Sequence, residues 1–170
     1  PGLLAWPLSA ATPAALAAVQ SETDTYASAG HLTASLDAET TRRLIGEAPA
    51  AFHAGIHDIL LIAYALAWTE FLGADHTSIG IDVEGHGRHD DLADDIDLSR
   101  TVGWFTTKYP VALTVGGLRW EQVIAGDAAL GPIVKRAKEQ LRALPDPLTY
   151  GLLRYLNTGV DLGGPDPTVG

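Results

Sequence analysis

The chain has 170 residues, 46% of them hydrophobic, and a formal net charge of −10 from 21 acidic against 11 basic residues. That length and composition suit one domain, or one lobe of a larger one, able to bury a core. The negative balance argues against nucleic acid or an anionic membrane as a partner, and the absence of cysteine excludes disulfides and thiolate metal sites.

Residues 1–30 are rich in Ala, Ser, Thr and Pro and show no sustained period. They read as a connector with one short helical turn, and they lack the basic leader of a signal peptide. The longest apolar run, Ile59 to Trp68, is about half of what a bilayer span requires. A soluble, cytoplasmic protein without a membrane partner is expected. Methionine is absent even at position 1, which suggests a piece of a longer chain.

From His31 the pattern sharpens. Leu32, Ala34 and Leu36 alternate with His31, Thr33 and Ser35, the signature of a half-exposed strand. Asp37 is placed to cap a helix running to about Ala50. A second helix is predicted from about Ile56 to Leu72. It is apolar nearly all round, which predicts a place at the centre of the core, and Gly73 ends it.

Residues Thr77 to Glu84 read as a strand, with Ile79, Ile81 and Val83 on one face and Ser78, Gly80, Asp82 and Glu84 on the other. One greasy face and one open polar face suit the wall of a channel. After an acidic loop, Tyr109, Val111, Leu113 and Val115 alternate in a strand that Pro110 confines to a sheet edge or to its first residues. The last third is helical. Trp120, Val123 and Ile124 mark one amphipathic segment, and Ile133, Val134, Ala137 and Leu141 mark another with Pro132 suited to its first position and Lys135, Arg136, Lys138 and Arg142 toward its end. A short helix from about Leu148 to Asn157 precedes a Gly/Pro-rich tail. Strands and helices mix without strict alternation, so the fold class is α/β or α+β, layered as a two-layer sandwich.

Glu84 is the first candidate for chemistry. A carboxylate beside glycines on an open strand face can serve as a general acid or base when burial raises its pKa; a solvated strand-end glutamate is the alternative. Arg88, four residues on, would orient Glu84 or balance its charge, or form an ordinary surface ion pair. His86, His89, Asp90, Asp91, Asp94, Asp95 and Asp97 match no metal-loop spacing. No metal is expected there, and a solvated acidic loop is the better reading. Trp104 and Phe105 after Gly103 would line a pocket or fill the core. There is no P-loop, no GxSxG and no dinucleotide fingerprint.

Four segments in order carry a resemblance. Asp58-Ile59-Leu60-Leu61-Ile62-Ala63-Tyr64-Ala65, Glu84-Gly85-His86-Gly87-Arg88, Arg100-Thr101-Val102-Gly103-Trp104-Phe105-Thr106 with Tyr109-Pro110, and Pro145 to Leu156 are similar to signature motifs of the epimerization domains of nonribosomal peptide synthetases. Ordinary condensation domains of the same superfamily usually carry a different sequence where this chain reads RTVGWFTTKYP. The resemblance implies a two-lobed fold like chloramphenicol acetyltransferase, with an active-site tunnel between the lobes. Residues 31–170 would be the C-terminal lobe and residues 1–30 the connector from the N-terminal lobe, whose HHxxxDG motif has no counterpart here. An FNYLG motif would follow just beyond Gly170. The fourth segment departs from the family pattern, with Pro147-Leu148-Thr149 in place of a glycine-rich run.

The activity so implied is inversion of the α-carbon of an aminoacyl or peptidyl group held as a thioester on phosphopantetheine. Glu84 and Arg88 would be the catalytic pair, and Asp82, His86, Trp104, Thr106 and Tyr109 would line the tunnel. No cofactor would bind directly, because a peptidyl carrier domain presents the phosphopantetheine arm. The N-terminal lobe and neighbouring synthetase modules would be the other partners, and this piece alone would be inactive. A condensation-type acyltransferase and a non-catalytic docking module are the alternatives.

Overall fold

The computed structural model describes residues 20–73, 78–88, 97–157, 159 and 168–169. In chain order these form α1 (Ala38–Ile45), α2 (Glu47–Phe52), α3 (Ile56–Leu72), β1 (Ser78–Gly85), β2 (Thr107–Thr114), α4 (Trp120–Ile124), α5 (Leu130–Arg142), α6 (Pro147–Gly151), a π-helical turn (Leu152–Leu156) and β3 (Thr168–Val169). The architecture is mixed helix and sheet, as expected. Strand order is β2-β1-β3, with β1 antiparallel to β2 and parallel to β3.

The helix starts follow the capping chemistry. The Asp37 carboxylate accepts the Thr40 amide at 2.7 Å and its hydroxyl at 3.0 Å, satisfying a first-turn donor that has no intrahelical partner. The helix expected to reach Ala50 is broken at Gly46, which serves both as the C-cap of α1 and the N-cap of α2. At the start of α3 the Asp58 carboxylate reaches back to accept the Gly55 amide at 2.9 Å. Gly73 closes α3 with φ of 100°, a conformation that costs a glycine little.

The expected strand over 31–36 is not formed. That segment has no regular structure, and Leu32 and Leu36 are exposed. Alternation describes a strand only when a neighbouring strand supplies the ladder, and among the described residues none pairs with it.

The core lies between one face of the sheet and the helices α3 and α5. Ile79, Ile81 and Val83 of β1 and Val111 and Leu113 of β2, with Val115 just beyond, meet Ile62 and Ala65 of α3 and Ile133, Val134 and Ala137 of α5. Each large side chain so buried contributes roughly 1.5–3 kcal/mol of transfer free energy. The mostly apolar helix α3 is not enclosed on every side. Ile62 and Ala65 are buried, whereas Leu60, Tyr64 and Phe71 are exposed. A helix needs only one stripe to seat on a sheet, and the described residues cover only that stripe.

Pro110 sits in β2, at the edge of the sheet, where a missing donor breaks no ladder on the outer side. Near the end of β2, the Gln140 side-chain amide accepts the Thr114 amide at 2.9 Å and donates to the Thr114 carbonyl at 3.2 Å. It takes the place of a neighbouring strand, which this edge does not have among the described residues. Among the described residues no single helix is long and apolar enough to cross a membrane, although the bent pair Ala38–Phe52 and Ile56–Leu72, at 97°, has the length and composition together.

Candidate functional site

The sheet sets the faces. In the antiparallel register Asp82 stands opposite Pro110, Val83 opposite Tyr109, and Glu84 opposite Lys108. Side chains alternate between faces along a strand, so Asp82, Glu84 and Lys108 share one face. The expected open polar face holds only at its far end. Ser78 and Gly80 on it are buried, Asp82 keeps 11% side-chain exposure, and Glu84 is exposed.

Lys108 crosses diagonally to ion-pair with Asp82, leaving its register partner Glu84 with no hydrogen-bond or ion-pair partner among the described residues. Sequence reasoning passed over Lys108. Assuming that 77–84 and 109–115 pair in a hairpin-like register would have found it, since diagonal neighbours lie within reach of a long side chain.

Beyond β1 the chain turns sharply at Gly87, whose φ is 61°. A Cβ on Gly87 would stand 1.6 Å from the Phe105 carbonyl oxygen, and one on Gly85 would meet Thr107 Oγ1 at 3.1 Å. The two glycines therefore let residues 85–87 lie directly on residues 105–107. Here the segments around Glu84 and Trp104, separate in sequence, become one structural unit.

Arg88 fastens that unit. Its guanidinium donates to the Leu98 carbonyl at 2.8 Å and, through both terminal nitrogens, to the Thr101 carbonyl at 3.2 Å. It also lies over the Phe105 ring, 4.4 Å from the centroid, a cation–π arrangement. Its backbone amide donates to His86 Nδ1 at 3.0 Å. Among the described residues no ion pair joins Arg88 to Glu84; its donors go to the loop instead. The carbonyls of Leu98 and Thr101 and the ring of Phe105 were not foreseen as its partners, because backbone acceptors leave no mark in a sequence.

His86, Arg88, Gly103, Trp104, Phe105 and Thr106 line an open pocket of about 330 Å³. Trp104 is 90% exposed at its rim. The structure thus brings together His86, Arg88, Trp104 and Thr106 in one place and Asp82 with Glu84 on the adjoining strand face. Tyr109 is set apart. It belongs to the opposite face of β2 and packs half-buried against the core. Burial, and then the negative charge of Asp58, pushes its phenol above the usual range. Asp97 caps the turn below Arg88 by accepting the Ser99 amide at 2.9 Å, and the hydrogen bonds of Ser99 hold its carboxyl below the usual range. His89, Asp90, Asp91, Asp94 and Asp95 lie outside the described residues. Among the described residues no cluster of His, Asp or Glu could hold a metal ion.

Comparison with known proteins identifies relatives of this chain. The chain is 44% identical over 124 residues to a linear gramicidin synthase of Brevibacillus parabrevis, covering 72% of this chain and 2% of that one. It is 41% identical over 134 residues to chondramide synthase cmdD of Chondromyces crocatus, covering 78% and 3%. Among solved structures, it superposes with a TM-score of 0.58 and 33% identity on the epimerization domain from the third module of tyrocidine synthetase B. That match covers 79% of this chain and 27% of that one. The chain therefore spans a small fraction of these synthetases and about a quarter of the solved domain. Residues 8–155 match the model of the condensation domain family, and the chain belongs to that family.

Proposed function

We propose that this chain is part of an epimerization domain of a nonribosomal peptide synthetase. In this reading residues 31–170 form its C-terminal lobe and residues 1–30 the connector from the other lobe. The observation that carries the reading is the seating of the Glu84–Arg88 segment on the Trp104–Thr107 segment, through Gly85, Gly87 and Arg88. Likeness to a solved epimerization domain supports it.

The reaction is an inversion at the α-carbon of an aminoacyl or peptidyl thioester. A base removes the α-proton, and the C–H electron pair moves onto the thioester carbonyl as an enolate. An acid on the opposite face then returns a proton to the α-carbon, and the carbonyl re-forms. Two acid/base groups must flank the cleft. Glu84, exposed on the strand face and unpaired among the described residues, supplies one. The histidine of an HHxxxDG motif in the rest of the domain supplies the other. His86, Trp104 and Thr106 line the way in, and Asp82, held by Lys108, sets the charge beside Glu84. The substrate arrives on the phosphopantetheine arm of a carrier domain, so this chain needs no cofactor of its own. Neighbouring synthetase modules supply and remove it in the cytoplasm.

A second reading has its own support. The family match is to the condensation domain, a name that denotes bond formation, here between two carrier-bound groups. The complete two-lobed domain with an aminoacyl-loaded carrier in deuterated water separates the two. Deuterium at the α-carbon, lost in Glu84→Gln, is expected for epimerization. A new amide or ester without α-exchange would establish condensation, and carrier binding with neither product would leave a docking module.

A further inference from the structure

We infer that Arg88 is a positioning residue that holds Trp104 at the rim of the substrate pocket, acting on the loop rather than on Glu84. The inference rests on the epimerase reading for what enters the pocket. Among the described residues, the Arg88 side chain spans the loop. The guanidinium bridges the carbonyls of Leu98 and Thr101 and also covers the ring of Phe105. The Thr101 amide donates to the Leu98 carbonyl at 3.0 Å, so both ends of that turn meet at Arg88.

Between the anchored Thr101 carbonyl and the anchored Phe105 ring runs the span Val102–Gly103–Trp104. Val102 is 99% exposed and Trp104 90% exposed, so neither side chain is held by packing. The position of the Trp104 indole therefore depends on the two anchors, and Arg88 contributes to both. Gly87, pressed against the Phe105 carbonyl, fixes where the guanidinium starts. A lysine could reach one carbonyl but could not bridge two and stack on a ring, because an ammonium lacks the planar fork. Loss of the anchor would let Trp104 wander, weakening capture of the loaded arm while leaving the proton-transferring groups in place.

The test uses the complete two-lobed domain, with Arg88→Met, Arg88→Lys, Trp104→Ala and the Arg88→Met/Trp104→Ala double variant. In Arg88→Met, hydrogen exchange of the Thr101 amide should rise about tenfold or more as the turn opens. Its KM for the loaded carrier should rise about tenfold with kcat within about threefold, the pattern of lost binding rather than lost chemistry. Arg88→Lys should recover part of the protection and part of the KM. The double variant should be no worse than Trp104→Ala alone, since both changes remove the same contact. A collapse of kcat at unchanged KM would put the guanidinium at the reacting atoms and overturn the inference. So would unchanged Thr101 protection in Arg88→Met. Should the unaltered domain show no α-deuterium, the epimerase reading falls, and the hydrogen-exchange comparison alone decides whether Arg88 holds the loop.

Discussion

Gly87 and Phe105 meet backbone to backbone, so closely that a Cβ on Gly87 would stand 1.6 Å from the Phe105 carbonyl oxygen. The contact joins two of the four segments that carry the chain's resemblance to its family, and it gives the glycine a steric reason beyond its left-handed φ of 61°.

Gly87→Ala should therefore cost more than backbone strain alone. Gly126 is a matched control, with φ of 65° and nothing near its would-be Cβ. Gly126→Ala is expected to cost about 1–2 kcal/mol from the left-handed conformation. Gly87→Ala should cost about 3–5 kcal/mol, because residues 105–107 must also move. Urea unfolding of both variants checks this, and equal losses would show that the approach to Phe105 is not tight.

Lys138 is buried on α5, where its ammonium donates to the Phe52 carbonyl at 3.0 Å and pairs with Glu139 at 3.1 Å. Phe52 ends α2, so that carbonyl has no partner further along its helix. Arg142, one turn on, donates to the next carbonyl, that of His53. Lys138→Met fills the space but strands the acceptor, and should lower stability by about 1–3 kcal/mol. Glu139→Gln, at an exposed site, should cost less than about 1 kcal/mol. Thermal unfolding ranks the two, and the reverse order would mean that the ion pair, not the helix end, holds Lys138.

Much of this was legible in the sequence. The helix from Ile56 to Leu72 shows because its apolar run is long and Gly73 stops it, and the Asp37 cap shows because an aspartate there meets a free amide. The core faces of β1 and β2 show through strict alternation. What escaped depends on partners distant in sequence. The segment 31–36 alternates but finds no neighbouring strand, and β3 pairs over only two residues, too few to display a period. The burial of Ser78 and Gly80 comes from what packs over them, and the burial of Lys138 from an acceptor 86 residues away. At the candidate site the motif residues were visible and their contacts were not, because Arg88 binds carbonyls and Lys108 reaches Asp82 across the sheet.

The cap at Asp37 should make α1 sensitive to acid. Its hydrogen bonds with the Thr40 amide and then the Thr40 hydroxyl hold the carboxyl below the usual aspartate range. For a depressed pKa, the added stability is complete above the unfolded-state value and disappears as pH falls through the folded-state value. The Thr40 amide resonance should therefore shift with a midpoint below that of a free aspartate. In Asp37→Asn the step should vanish. A midpoint at or above the ordinary value would mean that the cap is not formed in solution.

Tyr109 should respond at the other end of the pH scale. Burial against the core, reinforced by the charge of Asp58, raises its phenol above the ordinary value of 10.0. A raised pKa means that the folded state holds the proton more tightly, so the contribution is complete below the unfolded-state value and is lost as pH rises through the folded-state one. Near-ultraviolet titration should show a late tyrosine step that is missing in Tyr109→Phe. In Asp58→Asn the step should move earlier without reaching the free-tyrosine midpoint, because burial, the larger cause, remains. The same change removes the carboxylate that accepts the Gly55 amide, so its thermal stability must be followed alongside. A Tyr109 step unmoved by Asp58→Asn in a folded protein would separate the start of α3 from β2 electrostatically. Burial alone would then account for the late titration.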